Sequence, residues 1–258
     1  MSRKQEEMQF HNMREEDRNS LDKEAFLKKY SNKKYYSIQR KSTEFIDRLI
    51  ENNVKGKTVL DYCCGLGSMS VHMAQKGGFV YGIDISDESV KTAAEEARKA
   101  GLTDRMKFAV MDAEDLQFED NKFDMILCSG VLHHLDLDNA YPELARVLKP
   151  DGLIICGEAL GYNPIINLYR KMTPQLRTAW EAEHILTLRD LRKAKKFFGK
   201  VKVDFFHLAS IAAVSFRNTP VFAPVLSVLE ATDNLILKIP YVQLMAWQMI
   251  FVLSNPKV

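Results

Sequence analysis

Val59-Leu60-Asp61-Tyr62-Cys63-Cys64-Gly65-Leu66-Gly67 is the stretch whose reading decides the fold of this 258-residue chain. An apolar run reaches a carboxylate, breaks into a glycine turn and continues into an amphipathic segment at 69–76. That order predicts a buried parallel strand, a tight loop and then a helix. Glycines in such a loop let the backbone approach a ligand where a Cβ would collide. The next apolar run, Phe79-Val80-Tyr81-Gly82-Ile83-Asp84, ends in a second carboxylate. It lies near the distance at which an acid reaches a ribose diol in dinucleotide folds. Two strands, a glycine turn and two carboxylates imply a nucleoside-containing cofactor.

The same rhythm continues on both sides of this stretch. Strands are expected at 58–62, 79–83, 106–110, 123–128 and 153–156, and helices at 68–75, 87–100 and 137–147. Ser86 caps the second helix, Asp87 and Glu88 occupy its first turn, and Gly101 stops it. Short buried strands alternating with helices predict an α/β fold with a doubly wound parallel sheet. Beyond it, 157–196 reads as loop and helices broken at Pro164 and Pro174. Further strands are expected at 201–208 and 245–253, with a partly helical apolar segment at 209–241 covering the far end of the sheet. Upstream, 1–41 is polar and mixed in charge. A helix at 43–52 carries Phe45, Ile46, Leu49 and Ile50 on one side.

Composition narrows the function. Hydrophobic residues make up 46% and charged residues 27%, ordinary for a soluble globular protein. A net charge of +2 does not suit a dedicated nucleic-acid binder, so no nucleic-acid partner is expected. The cluster Lys28, Lys29, Tyr30, Lys33, Lys34, Tyr35, Tyr36 could stack on RNA. The acids Glu6, Glu7, Glu15, Glu16 and Asp17 in the same segment favour instead a solvated helical arm that folds over the cofactor. Cys63, Cys64, Cys128 and Cys156 make no CxxC pair, and no early signal segment is evident. They read as small buried hydrophobes of a cytoplasmic protein. No apolar run approaches the ~20 residues of a membrane span. The greasiest part, 221–253, is interrupted by Glu230, Asp233 and Lys238. It reads as core and pocket lining, with attachment to a membrane surface left open. The oligomeric state is also open.

The motifs choose the cofactor. Gly65 and Gly67 are present, but the third position of a G-x-G-x-x-G pattern is Ser70, a weak match to a NAD site. The third strand ends in Met111-Asp112-Ala113-Glu114-Asp115. The fourth is Phe123-Asp124-Met125-Ile126-Leu127-Cys128-Ser129, continuing Gly130-Val131-Leu132-His133-His134-Leu135. Leu148-Lys149-Pro150-Asp151-Gly152 precedes the fifth. Together these resemble a class I S-adenosylmethionine (SAM)-dependent methyltransferase, of the small-molecule group that includes the ubiquinone and menaquinone C-methyltransferases. The resemblance covers 59–158 well and the flanks weakly.

It implies a Rossmann-like sheet of seven strands, five parallel and a C-terminal antiparallel pair. It also implies an arm or lid at 1–41 and a methyltransferase domain at 42–258, with apolar cap segments near 159–198 and 209–241. Carried over residue by residue, Asp61, Gly65 and Gly67 would line the methionine end, and Asp84 would accept from both ribose hydroxyls. Ile85 would pack on adenine, Asp112 would accept from its amine, and Ala113 would offer its N–H to the ring. Ser129 would meet the methionine moiety through backbone, and Tyr36 matches an arm aromatic that closes over the cofactor. The family usually has Gly where Cys63 stands, so that side chain is expected to point away from the cofactor.

Methyl transfer needs alignment and exclusion of water, and a base only where the acceptor must lose a proton. His133, just past the fourth strand, is the first candidate for that base. Its other reading, expected for His134, is to cap the next helix or bond a backbone carbonyl. Glu158 could hold a hydroxyl or amine of the acceptor, or bond the 161–163 loop. Tyr162, Asn163, His184 and His207 are further pocket candidates, each with a structural reading. No metal is expected, because no group of carboxylates can be assembled on the cap. Asn163-Pro164 is followed by Ile165, not by the Pro-aromatic pair of amino-purine methyltransferases. The expected acceptor is a small apolar or aromatic molecule. The other functions open are a nonenzymatic SAM-binding or scaffold protein and a Rossmann oxidoreductase.

Overall fold

The computed structural model describes residues 2–257, apart from the side chains of 19, 23, 27 and 31–33. Lys33 of the basic cluster therefore lies outside the described side chains. Helices α1 (Arg3–Ser20) and α2 (Lys23–Lys29), a 3-10 segment (Ser31–Ile38) and α3 (Arg40–Asn53) precede the sheet. The alternating part is β1 (Thr58–Tyr62), α4 (Ser68–Gln75), β2 (Phe79–Asp84), α5 (Asp87–Lys99), β3 (Met106–Val110), β4 (Phe123–Ser129), α6 (Leu137–Val147) and β5 (Leu148–Ala159). Then come α7 (Pro164–Met172), α8 (Ala179–Glu183), α9 (Leu188–Ala194), β6 (Phe198–Phe206), α10 (Phe222–Ile236) and β7 (Gln248–Pro256).

The seven strands form one sheet in the order β3-β2-β1-β4-β5-β7-β6. β1 pairs in parallel with β2 and with β4, whereas β7 runs antiparallel to β5 and β6. This is the expected fold class. Alternate residues of the same strands feed two cores, as strand geometry requires of a sheet covered on both faces. Leu60, Tyr62, Ile126, Cys128, Ile154 and Cys156 belong to one. Val59, Met125, Leu127 and Ile155 belong to the other. All four cysteines are free, and Cys128 and Cys156 are buried neighbours in register on β4 and β5.

Two glycines fit helix and strand into the turn. Gly67 caps α4 in the left-handed region (φ 75), and a Cβ there would lie 2.8 Å from the Ala93 Cβ on α5. Gly82, opposite Asp61 in register, leaves room for the Phe108 ring, 2.6 Å from where its Cβ would be.

The C-terminal strands start and stop elsewhere than the pattern predicts. β5 begins at Leu148, before the 149–152 turn residues, because it already pairs with Phe123 there. β6 ends at Phe206 because His207 turns into the left-handed region (φ 65). β7 starts at Gln248 because 242–245 forms a 3-10 turn. The apolar segment after β6 is a 3-10 helix (Ala209–Phe216) followed by α10, and Ala213, Val214 and Leu226 pack with Ile38 in a separate small core. Its two carboxylates point inward, not out. Glu230 pairs with Arg40, and Asp233 accepts the backbone N–H groups of Leu208, Ala209 and Ser210.

His207 is a buried structural group, 2% exposed, with Nε2 2.8 Å from the Ser42 hydroxyl and Nδ1 3.2 Å from that of Ser210. Burial, opposed by the Asp233 charge, holds its pKa down from 6.5 to about 4. The folded protein thus keeps the ring neutral where the unfolded chain takes a proton. Stability should fall as pH drops from 6.5 towards 4 and stop falling below that window, by up to ~3 kcal/mol from this group. His207→Asn, which tolerates the left-handed backbone, should flatten this part of the curve in denaturant melts. An unchanged slope would put the proton elsewhere.

Candidate active site

The carboxyl edge of the parallel strands opens into two adjoining cavities. The smaller, about 250 Å³, is walled by Cys63, Gly65, Leu66, Asp84, Ile85, Asp112, Ala113 and Leu135, and closed by residues of α1. The larger, about 410 Å³, is walled by Tyr35, Tyr36, Ile46, His133, Glu158, Ile166, Arg170, Glu181, Ile211 and Trp247, among others. Ser129, Gly130, His134, His11 and Arg14 line both, so they mark the passage between them.

In the smaller cavity the glycine turn and two strand ends converge. Gly65 has φ 51, and nothing lies within 4 Å of where its Cβ would be. Its N–H donates to Asp84 Oδ2 at 2.9 Å, while Asp84 Oδ1 accepts from the Ser86 N–H at 2.9 Å. Asp84 therefore braces the turn and faces the cavity. Burial, against the Ser86 and Gly65 hydrogen bonds, leaves its carboxyl above the ordinary range. Ile85 and Ala113 supply apolar wall. Asp112 Oδ1 accepts from the Glu114 N–H at 2.9 Å, and its Oδ2 takes the Lys4 ammonium at 2.5 Å.

Three predicted positions sit differently. Asp61 is buried beneath the turn, with Oδ2 2.5 Å from the Ser70 hydroxyl, and lines neither cavity. Burial, eased by Ser70 and aggravated by Asp84, pushes its pKa up to about 6. Gly67 packs against α5 and also lines neither cavity. Tyr36 is half exposed and belongs to the larger cavity. Cys63 borders the smaller cavity from a left-handed backbone (φ 57), the conformation that makes glycine the easier residue there, and packs against the core.

His133 and Glu158, two separate candidates in the sequence, form one unit. Glu158 Oε1 accepts from the Val131 and Leu132 N–H groups, both at 2.8 Å, and Oε2 faces His133 Nδ1 at 2.7 Å. Glu158 thus clamps the loop after β4 to the end of β5 and orients the imidazole. His133 Nε2 is left towards the larger cavity, 3.8 Å from Glu181 Oε1. Burial, against the His134 charge, raises the Glu181 carboxyl. His134 bonds neither the next helix nor a carbonyl through its ring. Its Nδ1 lies 3.0 Å from Glu7 Oε2 on α1. The two rings do not diverge, because a 3-10 turn (Leu132–His134) sets their centroids 4.2 Å apart.

The other pocket candidates are structural. Tyr162 receives the Leu188 N–H, Asn163 caps α7 and donates to the Met245 carbonyl, and His184 stacks on Trp180.

Sequence reading expects an arm over the cofactor with Tyr36 as its aromatic, but it does not name the α1 residues that cover the crevice. Arg3 pairs with Glu114 at 2.5 Å and lies over the Trp180 ring, and Lys4 bridges Asp112 and Glu114. Glu7 takes the Thr178 hydroxyl as well as His134. Burial raises its carboxyl, but the His134 hydrogen bond and charge outweigh this and hold it low. Asn12 bonds Ser86 and Asp87. The polar stripe Arg3, Glu7, His11, Arg14 at helical spacing was the available signal. Two groups, Glu7–His11–His134 and His133–His134–Glu181, bring potential metal-ligand atoms within 4.8 Å of one another.

Comparison with known proteins agrees with this geometry. Residues 60–156 match the family model described as a methyltransferase domain, so that part of the chain is similar to known methyltransferase domains. Methyltransferase GfsG of Streptomyces halstedii is 29% identical over 182 residues, 69% of this chain and 63% of that one. A 2-phytyl-1,4-naphtoquinone methyltransferase of Nostoc punctiforme is 32% identical over 126 residues, 47% of this chain and 51% of its own. The chain thus spans less than two thirds of these curated relatives. Among solved structures, the PH0226 protein of Pyrococcus horikoshii superposes with a TM-score of 0.55 at 22% identity, over 84% of this chain and 91% of that one. Phosphoethanolamine N-methyltransferase 2 of Haemonchus contortus, in complex with SAM, gives 0.57 at 20% identity, over 79% and 50%. These likenesses concern the fold.

If α1 is held by its cations, Arg3→Ala with Lys4→Ala should speed amide exchange across 3–20 and leave β1 and β4 unchanged. Exchange as slow as in the wild type would mean that packing alone seats the helix.

Proposed function

We propose that the protein transfers a methyl group from SAM to a small acceptor with an apolar or aromatic body. The observation that carries this reading is the pair of joined cavities, one edged by Asp84 and Asp112 and the other by the His133–Glu158 unit. The residues present fit SAM. Gly65 leaves an open cradle, and carboxylates without a phosphate-binding lysine in the turn suit a diol and an amine better than a pyrophosphate. Arg14 Nε is buried without a hydrogen-bond partner among the described residues, on the wall between the cavities. The carboxylate of an amino-acid moiety would satisfy it.

In this reading Asp84 holds the ribose diol and Asp112 the adenine amine, with Lys4 sharing or ceding its place. Ile85 and Ala113 pack on the ring, and Gly65, Ser129 and Arg14 hold the amino-acid end. Asp61 and Gly67 act from beneath, by fixing the turn. SAM supplies a methyl group already activated on a sulfonium. The chain contributes alignment, a dry chamber and a proton acceptor. Glu158 accepts from His133 Nδ1–H and so leaves Nε2 as the free base. Glu158, with both oxygens engaged, is a positioning residue. Tyr35, Ile46, Ile166, Ile211 and Trp247 give the acceptor chamber its apolar walls. The quinone-methylating relative supports an acceptor of this type.

Calorimetry should register SAM and no NAD, and the reverse would overturn the cofactor. Asp84→Ala should weaken SAM binding by ~1–3 kcal/mol, since the diol loses a charged acceptor. Unchanged affinity would move the ribose elsewhere. A screen of extract metabolites with labelled SAM, read by mass shift, identifies the acceptor. With it, His133→Ala should lower kcat by ~10²–10⁴ at constant SAM affinity. A variant that keeps its rate would leave alignment as the sole source of catalysis.

A further inference from the structure

Helix α10 is inside out. Val221, Pro224, Val228, Ala231 and Leu235 recur at alternating steps of three and four, the spacing of one helix face, and all are exposed. Val228 is 66% exposed and Leu235 70%. The buried positions include the carboxylates Glu230 and Asp233. On 209–245 these are the only acids, and both are withdrawn from solvent. The exposed charges of that segment are Arg217, before the helix, and Lys238, after it. Phe216, Ile239 and Tyr241 continue the exposed apolar surface at its ends.

A second helix repeats the pattern. On α7, Ile165 (76% exposed), Leu168 and Met172 (72%) lie at i, i+3 and i+7, beside exposed Lys171. This helix contains no acid. The two elements meet through Tyr35, whose ring contacts Tyr169 of α7 and packs with Ile211, Phe222 and Val225. Ile165 and Ile211 both line the larger cavity. The α7 surface therefore borders the chamber directly, and the α10 surface joins it through the small core that Ile211 packs against.

We propose that these surfaces seat the protein on an anionic lipid bilayer, with the larger cavity close to the lipid. Apolar side chains bordered by Lys and Arg, with no exposed carboxylate on either helix, match the boundary of a membrane carrying negative headgroups. No helix among the described residues is long and apolar enough to cross a membrane, so the contact is a surface one. A second copy is the poorer occupant. Paired antiparallel, α10 would set Arg217 against Lys238, and paired parallel it would set each cation against itself, so like charges meet either way. An apolar acceptor dissolved in the bilayer would then reach the chamber without crossing water.

Flotation of the full chain with phosphatidylcholine vesicles, with and without phosphatidylglycerol, tests this and needs neither SAM nor an acceptor. Its failure is thus separate from failure of the methyl-transfer reading. The wild type should float with the mixed vesicles and bind neutral ones ~10-fold less. Val228→Glu with Leu235→Glu, and separately Arg217→Glu with Lys238→Glu, should each weaken binding ~10-fold or more at an unchanged melting temperature. The proposal is overturned if the wild type stays behind with anionic vesicles, or if the Val228→Glu/Leu235→Glu variant floats as well as it does. It is equally overturned if that variant instead dissociates a wild-type dimer that does not bind lipid.

Discussion

Everything in this molecule hangs on β1 being hydrogen-bonded on both sides, to β2 and to β4. The chain order reverses at that strand, so the connections on its two sides lead away from each other and leave a gap outside the carboxyl ends. The gap is then furnished by whatever follows each strand: the Gly65 turn after β1, Asp84 at the end of β2, Asp112 after β3, Ser129 at the end of β4 and Glu158 near the end of β5. None of these residues makes a site by itself. Parallel register brings their ends to one edge, and the two buried cores hold that edge rigid.

The second constraint is electrostatic. Asp84, Asp112 and Glu114 crowd one rim above the buried Asp61, and burial already pushes Asp61 and Asp84 above the ordinary carboxylate range. A rim of this kind needs positive charge. Helix α1 supplies it through Arg3 and Lys4, and Glu114 is held low by that contact despite its own burial. In the proposed binding mode, ligand and arm therefore meet at the same carboxylates. Glu7 and His134 anchor the middle of α1 to the loop that Glu158 clamps, so the arm, the loop and His133 are mechanically one assembly.

The fold was legible because its signal is local. A strand that ends in an acid and a glycine turn is written in nine consecutive residues. Asp84, Ile85, Asp112, Ala113 and Ser129 reach the cavities because they sit at strand ends, which chain position alone reveals. Asp61 and Gly67 were harder, since whether a turn residue faces the ligand or the helix beneath depends on backbone dihedrals and on a neighbour such as Ala93. The union of His133 and Glu158 was illegible, because it depends on the pairing of β4 with β5 across 25 residues of sequence. The arm was expected over the cofactor, but the ion pairs that seat α1 there were not, for a related reason. A polar helix rich in both charges reads as solvated until the acids it neutralises are known.

The segment after β6 shows where hydropathy patterns mislead in sign as well as in detail. A helix apolar on most of its circumference is expected to bury its greasier face and leave its acids in water. Here the acids have the stronger claim on the interior. The 3-10 helix that begins at Ala209 presents backbone N–H groups with no carbonyl partners of their own, and an uncompensated buried donor costs ~1–3 kcal/mol. Asp233 satisfies three of them, and Glu230 meets the Arg40 guanidinium at the foot of α3. Turning the acids outward to bury Val228 and Leu235 would forfeit both sets of hydrogen bonds at once. The outward apolar stripe of α10 is therefore the consequence of satisfying the polar groups beneath it.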